Sequence, residues 1–369
     1  MEMKTKVLFI ASEFAPGMIP FASTIIKALC EDGRFDVYAI VVNSGRKTYA
    51  GALEGMDEER LMQIEYPSNK AVKLFYKFFP VSIIRTIRKY EKSIQPDVVH
   101  LLTGDFTLAL YLSLCKLRNN WYYTVHDLHP HEVSSRGLCD VLFHKYVVWG
   151  YKRLRDKIVN LTTSSKTQYE ELKRLYPDKR ILFTHFPSLL TPQIANGGKP
   201  VKELSGENDY ILFFGTVDEY KGVDLLVRAY KRSECLQRLK LVIAGRGTDT
   251  ATNNPNIIRI NRFIDDAEVK DLFGKALFVV YPYRSATMSG VLSIAYYFNK
   301  RVLLSSIPFF IDNATKSATF FKCGDVADLQ VQMERLSASG GNEHSDGRYD
   351  EIYSEKILIE DYCNLYSKG

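Results

Sequence analysis

The sequence predicts an α/β protein built from two Rossmann-like domains, and three observations carry that prediction. Short runs rich in β-branched residues recur and are apolar on both faces, as parallel strands covered by helices must be. Each run is followed by a segment with helical spacing, so that strand, loop and helix alternate. The alternation stops once, at SLLTPQIANGGKPVKELSGEN (188–208), where two prolines and three glycines break any period, and then it restarts. That stretch reads as a linker. At 369 residues the chain also exceeds the size at which a single core keeps growing. The expected division is 1–190 for the first domain, 205–345 for the second, and a closing helix over 350–369 that packs back on the first domain.

Taken in order, KVLFIAS is a strand, EFAPGMIP a loop and FASTIIKALCEDG a helix. DVYAIVV, DVVHLLT, WYYTVHD and KIVNLTTSS supply further strands. Between them, NKAVKLFYKFFPVSIIRTIRKYEKS (69–93) interleaves Lys70, Lys73, Lys77, Arg85, Arg88, Lys89 and Lys92 with Phe and Ile, and Pro80 splits it into two short helices. Such a basic amphipathic segment suits an anionic membrane surface, and equally a solvated helix face over a core. The second half runs YILFFGT, a helix from Val223 to Ser233, LKLVIAG, NIIRINRFI, a helix near Ala267 to Phe273, ALFVVYPY, a helix near Val291 to Phe298, and RVLLSS. After the polar connector SASGGNEHSDGRYD, the residues Ile352, Ile357, Ile359, Tyr362 and Leu365 have the spacing of a closing helix.

Composition sets the outer limits. Hydrophobic residues at 46% and charged residues at 25% are those of an ordinary globular protein. No apolar run approaches the roughly 20 residues of a bilayer span. The N-terminal run meets an acidic residue too soon for a secretory signal. Six cysteines, at 30, 115, 139, 235, 323 and 363, follow no framework spacing, which fits reduced thiols in a cytoplasm, with the inner face of the plasma membrane as the peripheral option. A net charge of +6 without a nucleic-acid motif tolerates anionic ligands and implies no nucleic-acid partner.

The candidate site lies in ILFFGTVDEYKGVDLLVRAY. Its strand ends at Phe214, Gly215 allows a tight exit, and Lys221 and Gly222 stand at the mouth of the next helix. In a doubly wound fold this is the edge where ligands bind, and helix-start amides with a nearby lysine form an anion site suited to phosphate. A surface lysine beside a glycine turn is the plainer alternative. Asp265 and Asp266 read as helix-start caps. His126 and Asp127 end the WYYTVHD strand at the corresponding edge of the first domain, whereas His100 lies inside an apolar strand and reads as structural. His129 and His131 invite a metal reading, but Pro130 rules out a helical pair and a carboxylate or Cys would have to come from elsewhere. No metal ligand set is assigned.

These blocks, with LKLVIAGRG, RFIDDAEVKDLF and VVYPYRSATMSGVLSIAYYFNKRVLLS in the same order, resemble the C-terminal half of the retaining GT-B glycosyltransferases of glycosyltransferase family four, over about residues 209 to 325. KVLFIASEFAPGMIPFASTIIKAL, PDVVHLLT and YYTVHD are similar to that family's N-terminal strands. The resemblance implies two Rossmann-like domains facing a cleft. It implies transfer of a hexose-type sugar from a UDP- or GDP-sugar, held by the second domain, to a glycan or lipid-linked acceptor held mainly by the first, as in cell-surface polysaccharide synthesis. It implies no metal and no cofactor beyond the nucleotide-sugar substrate. Members that use lipid-linked acceptors often carry a basic amphipathic surface like residues 69–93.

Carried over by position, the resemblance makes Lys221 the diphosphate contact and His126 the residue near the transferred sugar. Gly17, Gly215, Thr216, Arg246, Ile264, Ser289, Gly290 and Val291 then bind the donor, Ile264 through its main chain and Ser289 to Val291 through their amides. Two departures stand out. Thr216 replaces the usual arginine, for which Arg246 is the candidate substitute, and Ala286 and Ile294 occupy the places of two glutamates eight residues apart. A non-catalytic GT-B subunit that binds a nucleotide sugar or glycan is the alternative those departures raise.

Overall fold

The computed structural model describes residues 4–13, 18–43, 49, 51–109, 112, 117, 120–129, 138–248, 254–286, 289–339 and 349–367. The chain forms two compact units, Met1–Pro187 together with Glu355–Gly369, and Ser188–Ser354.

The first unit holds a parallel sheet of β1 (Thr5–Ser12), β2 (Phe35–Asn43), β3 (Leu61–Glu65), β4 (Val98–Leu101), β5 (Trp121–Thr124), β6 (Asn160–Thr163) and β7 (Arg180–Phe183). Their spatial order is β3-β2-β1-β4-β5-β6-β7. The central strands are buried along their length because both faces are covered, as their unbroken apolar runs require. The two edges, β3 and β7, are only partly buried. Neither has the doubly apolar signature that marks the central strands.

The helix Glu355–Ser367 belongs to this unit and buries Leu358, Tyr362, Leu365 and Tyr366. Ile357 and Ile359, expected on its apolar face, are only partly buried, because the buried face follows Leu358 at steps of three and four. The Tyr366 hydroxyl lies 2.7 Å from His100 Nδ1, and Thr124 Oγ1 lies 2.9 Å from the other ring nitrogen. His100 is therefore a satisfied core histidine. Burial, reinforced by nearby His126, pulls its pKa down to about 3, so the ring is neutral.

The second unit holds β8 (Tyr210–Phe214), β9 (Leu241–Ala244), β10 (Ile257–Ile260), β11 (Ala276–Tyr281), β12 (Val302–Ser305) and β13 (Thr319–Phe321), all parallel, in the order β10-β9-β8-β11-β12-β13. The stretch that reads as a linker is packed here. Thr191 caps a short helix, Pro192–Asn196, and Ile194, Val201 and Leu204 are buried in the unit's core. Three well-spaced apolar residues thus outweigh the Pro/Gly content that suggested a free connector.

In both sheets the order reverses once, between β1 and β4 and between β8 and β11. At such a point the following connections leave to opposite sides, which opens a crevice at the strand C-terminal ends.

Candidate functional site

In the second unit, β8 reaches the reversal point and exits through Gly215 at φ +136°, a backbone open mainly to glycine. The neighbouring strand does the same at Gly245, where a Cβ would come 2.0 Å from the Gly215 carbonyl oxygen. The amides of Gly215 and Val217 donate to the carbonyls of Ala244 and Arg246, so pairing continues past both strand ends. A 3₁₀ turn, Glu219–Lys221, follows, and Gly222 (φ +65°, ψ +24°) starts the helix Val223–Lys231 without a side-chain cap.

The loop after β11 is tied to this turn by Arg284. Its amide donates to the Tyr220 carbonyl at 2.7 Å and its guanidinium to the Glu219 carbonyl and the Asp224 carboxylate. The turn carrying Lys221 is thereby fixed from both sides of the reversal point.

Lys221 is 8% exposed, and among the described residues its ammonium has no ion pair or hydrogen bond. Its company is aromatic, with Nζ 5.5 Å from the Tyr283 ring centroid and 5.8 Å from that of Tyr220. Burial lowers its pKa from 10.5 to about 8, with Asp218 offsetting part of the shift. A buried lysine with no direct ion pair is costly, and an anion bound beside it would reduce that cost. Nζ lies 3.3 Å from the point a Cβ on Gly215 would occupy, and Tyr283 Oη and Val291 Cγ1 lie within 4 Å of the same point. Gly215 thus leaves a gap that Lys221, Tyr283 and Val291 face. Ser289 is near enough to Tyr283 to affect its hydroxyl.

The other carried-over positions are placed as follows. Thr216 is exposed and donates to Asp218 at 2.7 Å, so it supplies no cation. Arg246 is exposed, while its carbonyl serves the pairing with Val217. Ile264 is buried in the core, which leaves only its main chain for a ligand. Asp265 closes a capping box with Glu268, and the capping alternative accounts for it. Gly290 has φ −82°, an ordinary conformation, so no glycine-only backbone is in use there. Ser293 Oγ donates to the Gly290 carbonyl at 2.6 Å and holds the start of the helix Val291–Tyr297. Ile294 is a core residue. Gly17 lies outside the described residues.

In the first unit, the reversal point gathers Ser12, Thr103 and Asp105. Buried Asp105 accepts from Ser12 Oγ at 2.6 Å and from the hydroxyl and amide of Thr107, and burial raises its pKa. His126 Nε2 sits 2.7 Å from the Leu102 carbonyl, which can only accept, so that nitrogen carries the proton. Among the described residues its buried Nδ1 has no hydrogen-bond partner, and burial lowers the ring's pKa. The neutral tautomer then presents a lone pair at Nδ1. His129 pairs with Glu171 at 2.8 Å, His131 lies outside the described residues, and among those described no group of three or more His, Cys, Asp or Glu is arranged to hold a metal. Sequence reasoning missed Asp105 and Tyr283. Both sit within four residues of a strand end at a reversal point, which is the signal that marks them.

Residues 208–339 match the family described as Glycosyl transferases group 1. No curated protein matches the chain by sequence. Sucrose-phosphate synthase from Thermosynechococcus elongatus is similar in structure, with a TM-score of 0.71 at 13% identity over 99% of this chain and 100% of that one. Anabaena HepE in complex with UDP gives 0.66 at 11% over 99% and 100%. UDP-GlcNAc 2-epimerase from Methanocaldococcus jannaschii gives 0.59 at 13% over 99% and 100%, so the architecture is shared with another chemistry. Residues 208–339 therefore form a domain of the Glycosyl transferases group 1 type, in a chain whose two parallel sheets have the GT-B fold.

Proposed function

We propose that the second unit binds the diphosphate of a nucleotide sugar at Lys221, and that the chain is a retaining transferase of the family-four kind. The sugar, of hexose type from a UDP- or GDP-donor, goes to a glycan or lipid-linked hydroxyl in cell-surface polysaccharide synthesis. The observation that carries this reading is the buried Lys221, whose ammonium has no ion pair or hydrogen bond among the described residues, beside Gly215. In the transfer, the bond from the anomeric carbon to the diphosphate oxygen breaks and its electron pair stays on the diphosphate. The acceptor oxygen bonds to that carbon on the same face, and its proton passes to the departing phosphate. No carboxylate base is needed, so Ala286 is compatible with turnover. Lys221 and the amides of Ser289 to Val291 stabilise the leaving charge. His126 offers its Nδ1 lone pair to a sugar hydroxyl.

The pH dependence tests the role of Lys221. Because its pKa in the free protein is about 8, affinity for UDP or GDP should be level up to pH 7.5 and fall about tenfold by pH 9, as a site that must be protonated requires. Calorimetric titrations at those pH values check it, and an affinity that is level through pH 9 would contradict it. Release of nucleoside diphosphate on addition of an acceptor separates transfer from the non-catalytic subunit, which Ile294 in the core favours. The subunit would bind donor without turnover.

The acceptor side has its own supporting observation. The helix Lys70–Phe78 and its exit leave Leu74, Phe75, Phe79 and Val81 each more than half exposed, and Arg85, Arg88, Lys89 and Lys92 on the next helix, Val81–Ile94, are exposed as well. Among the described residues no helix is long and apolar enough to cross a membrane. Apolar side chains flanked by cations suit peripheral contact with an anionic bilayer. The chain should sediment with phosphatidylglycerol vesicles, and the Phe75→Asp/Phe79→Asp variant should stay in the supernatant. Equal sedimentation of the two would rule this surface out.

A further inference from the structure

The geometry points to Tyr283 as a second ligand-binding donor, whose hydroxyl donates a hydrogen bond to the diphosphate held by Lys221 and takes the place of the cation that Thr216 does not supply. This rests on the reading of Lys221 as the diphosphate contact.

Tyr283 is 1% exposed, and its ring is enclosed by the rings of Phe310, Tyr281 and Tyr220, with centroids at 5.2, 5.9 and 6.1 Å. Ser305 Oγ donates to its carbonyl at 2.6 Å, which fixes the backbone. For packing alone a phenylalanine would serve. The packing does not explain the hydroxyl: the Ser289 side chain lies close enough to act on it, but among the described residues it has no hydrogen-bond partner of good geometry, and a buried hydroxyl left so is unfavourable. It lies 3.9 Å from where a Cβ on Gly215 would sit, and Lys221 Nζ is 3.3 Å from the same point. One charged and one neutral donor therefore lie within 4 Å of one point beside Gly215. Burial holds the phenol far above its usual pKa, so the hydroxyl keeps its proton and remains a donor. A phosphate oxygen accepts from both groups, and the uncharged phenol adds a donor without a second buried charge.

Calorimetry on the full chain tests this with the tightest binder among UDP, GDP, ADP and dTDP, using wild type, Tyr283→Phe and Lys221→Ala. Tyr283→Phe should bind about tenfold more weakly. Its unliganded thermal midpoint should be unchanged or higher, since the hydroxyl it removes has no hydrogen-bond partner of good geometry among the described residues. If Tyr283→Phe binds as wild type while Lys221→Ala has lost affinity, the Tyr283 role is overturned and the Lys221 reading stands. If Lys221→Ala also binds as wild type, or if no diphosphate binds wild type, both fall. A lower unliganded midpoint for Tyr283→Phe would assign the hydroxyl to folding and overturn the proposal.

Discussion

Replacing Lys221 by alanine is expected to weaken nucleoside diphosphate binding by about 10- to 100-fold, the range for loss of a charge-assisted hydrogen bond. The same change should not unfold the protein. In the free chain Lys221 is buried and forms no ion pair among the described residues, and burial, only partly offset by Asp218, lowers its pKa from 10.5 to about 8. The sign follows from proton counting. Between pH 8 and 10.5 the unfolded chain holds a proton that the folded chain has released, so wild-type stability rises across that window and carries the full penalty below it. Lys221→Met, which keeps the apolar stem, should therefore melt at or above the wild-type midpoint at pH 7. Affinity lost while stability is kept or gained marks a residue retained for its ligand. Calorimetry and thermal denaturation of the two variants check both halves.

Gly222→Ala should produce the opposite pattern, a loss of the fold with binding lost only as a consequence. At φ +65° any side chain is strained, and here a Cβ would come 2.0 Å from the Pro282 carbonyl oxygen, a backbone atom that cannot swing aside. Pro282 belongs to the loop that Arg284 ties to the Lys221 turn, so relief of the clash would have to separate the two halves of the site. A destabilisation of about 3 kcal/mol or more is expected, combining left-handed strain with backbone overlap. Urea denaturation measures it. A midpoint equal to wild type would mean that the loop moves freely and that the gap at Gly215 is not held in place.

Much of this arrangement is written in short stretches of sequence. The runs ILFFGT and LKLVIAG declare buried parallel strands because both faces are apolar, and the glycines that end them sit where neighbouring backbones touch. The edge strands Leu61–Glu65 and Arg180–Phe183 are hard to read because half-exposed strands need no unbroken apolar run. SLLTPQIANGGKPVKELSGEN misleads for a related reason. Its apolar residues are few, and only the packed chain reveals that Ile194, Val201 and Leu204 all face one core.

At the site, Lys221 and Gly215 are legible because a lysine and a glycine after a strand have a direct electrostatic and steric meaning. Tyr283 is not, since a tyrosine at the end of VVYPY reads as one more core aromatic. Only the folded chain brings its hydroxyl beside Gly215 and Lys221 without a partner of good geometry among the described residues. Asp105 is silent in the same way. A carboxylate in a loop looks solvated until Ser12 and Thr107 are seen to satisfy it in the interior.

The central claim is that the reversal point of the second sheet is a diphosphate site. Calorimetric titration of the wild-type chain at pH 7 with UDP, GDP, ADP and dTDP tests it most directly. A saturable one-to-one complex with at least one of them, carried by Lys221, is the predicted result. The absence of binding to all four, or affinity undiminished in Lys221→Ala, would contradict it.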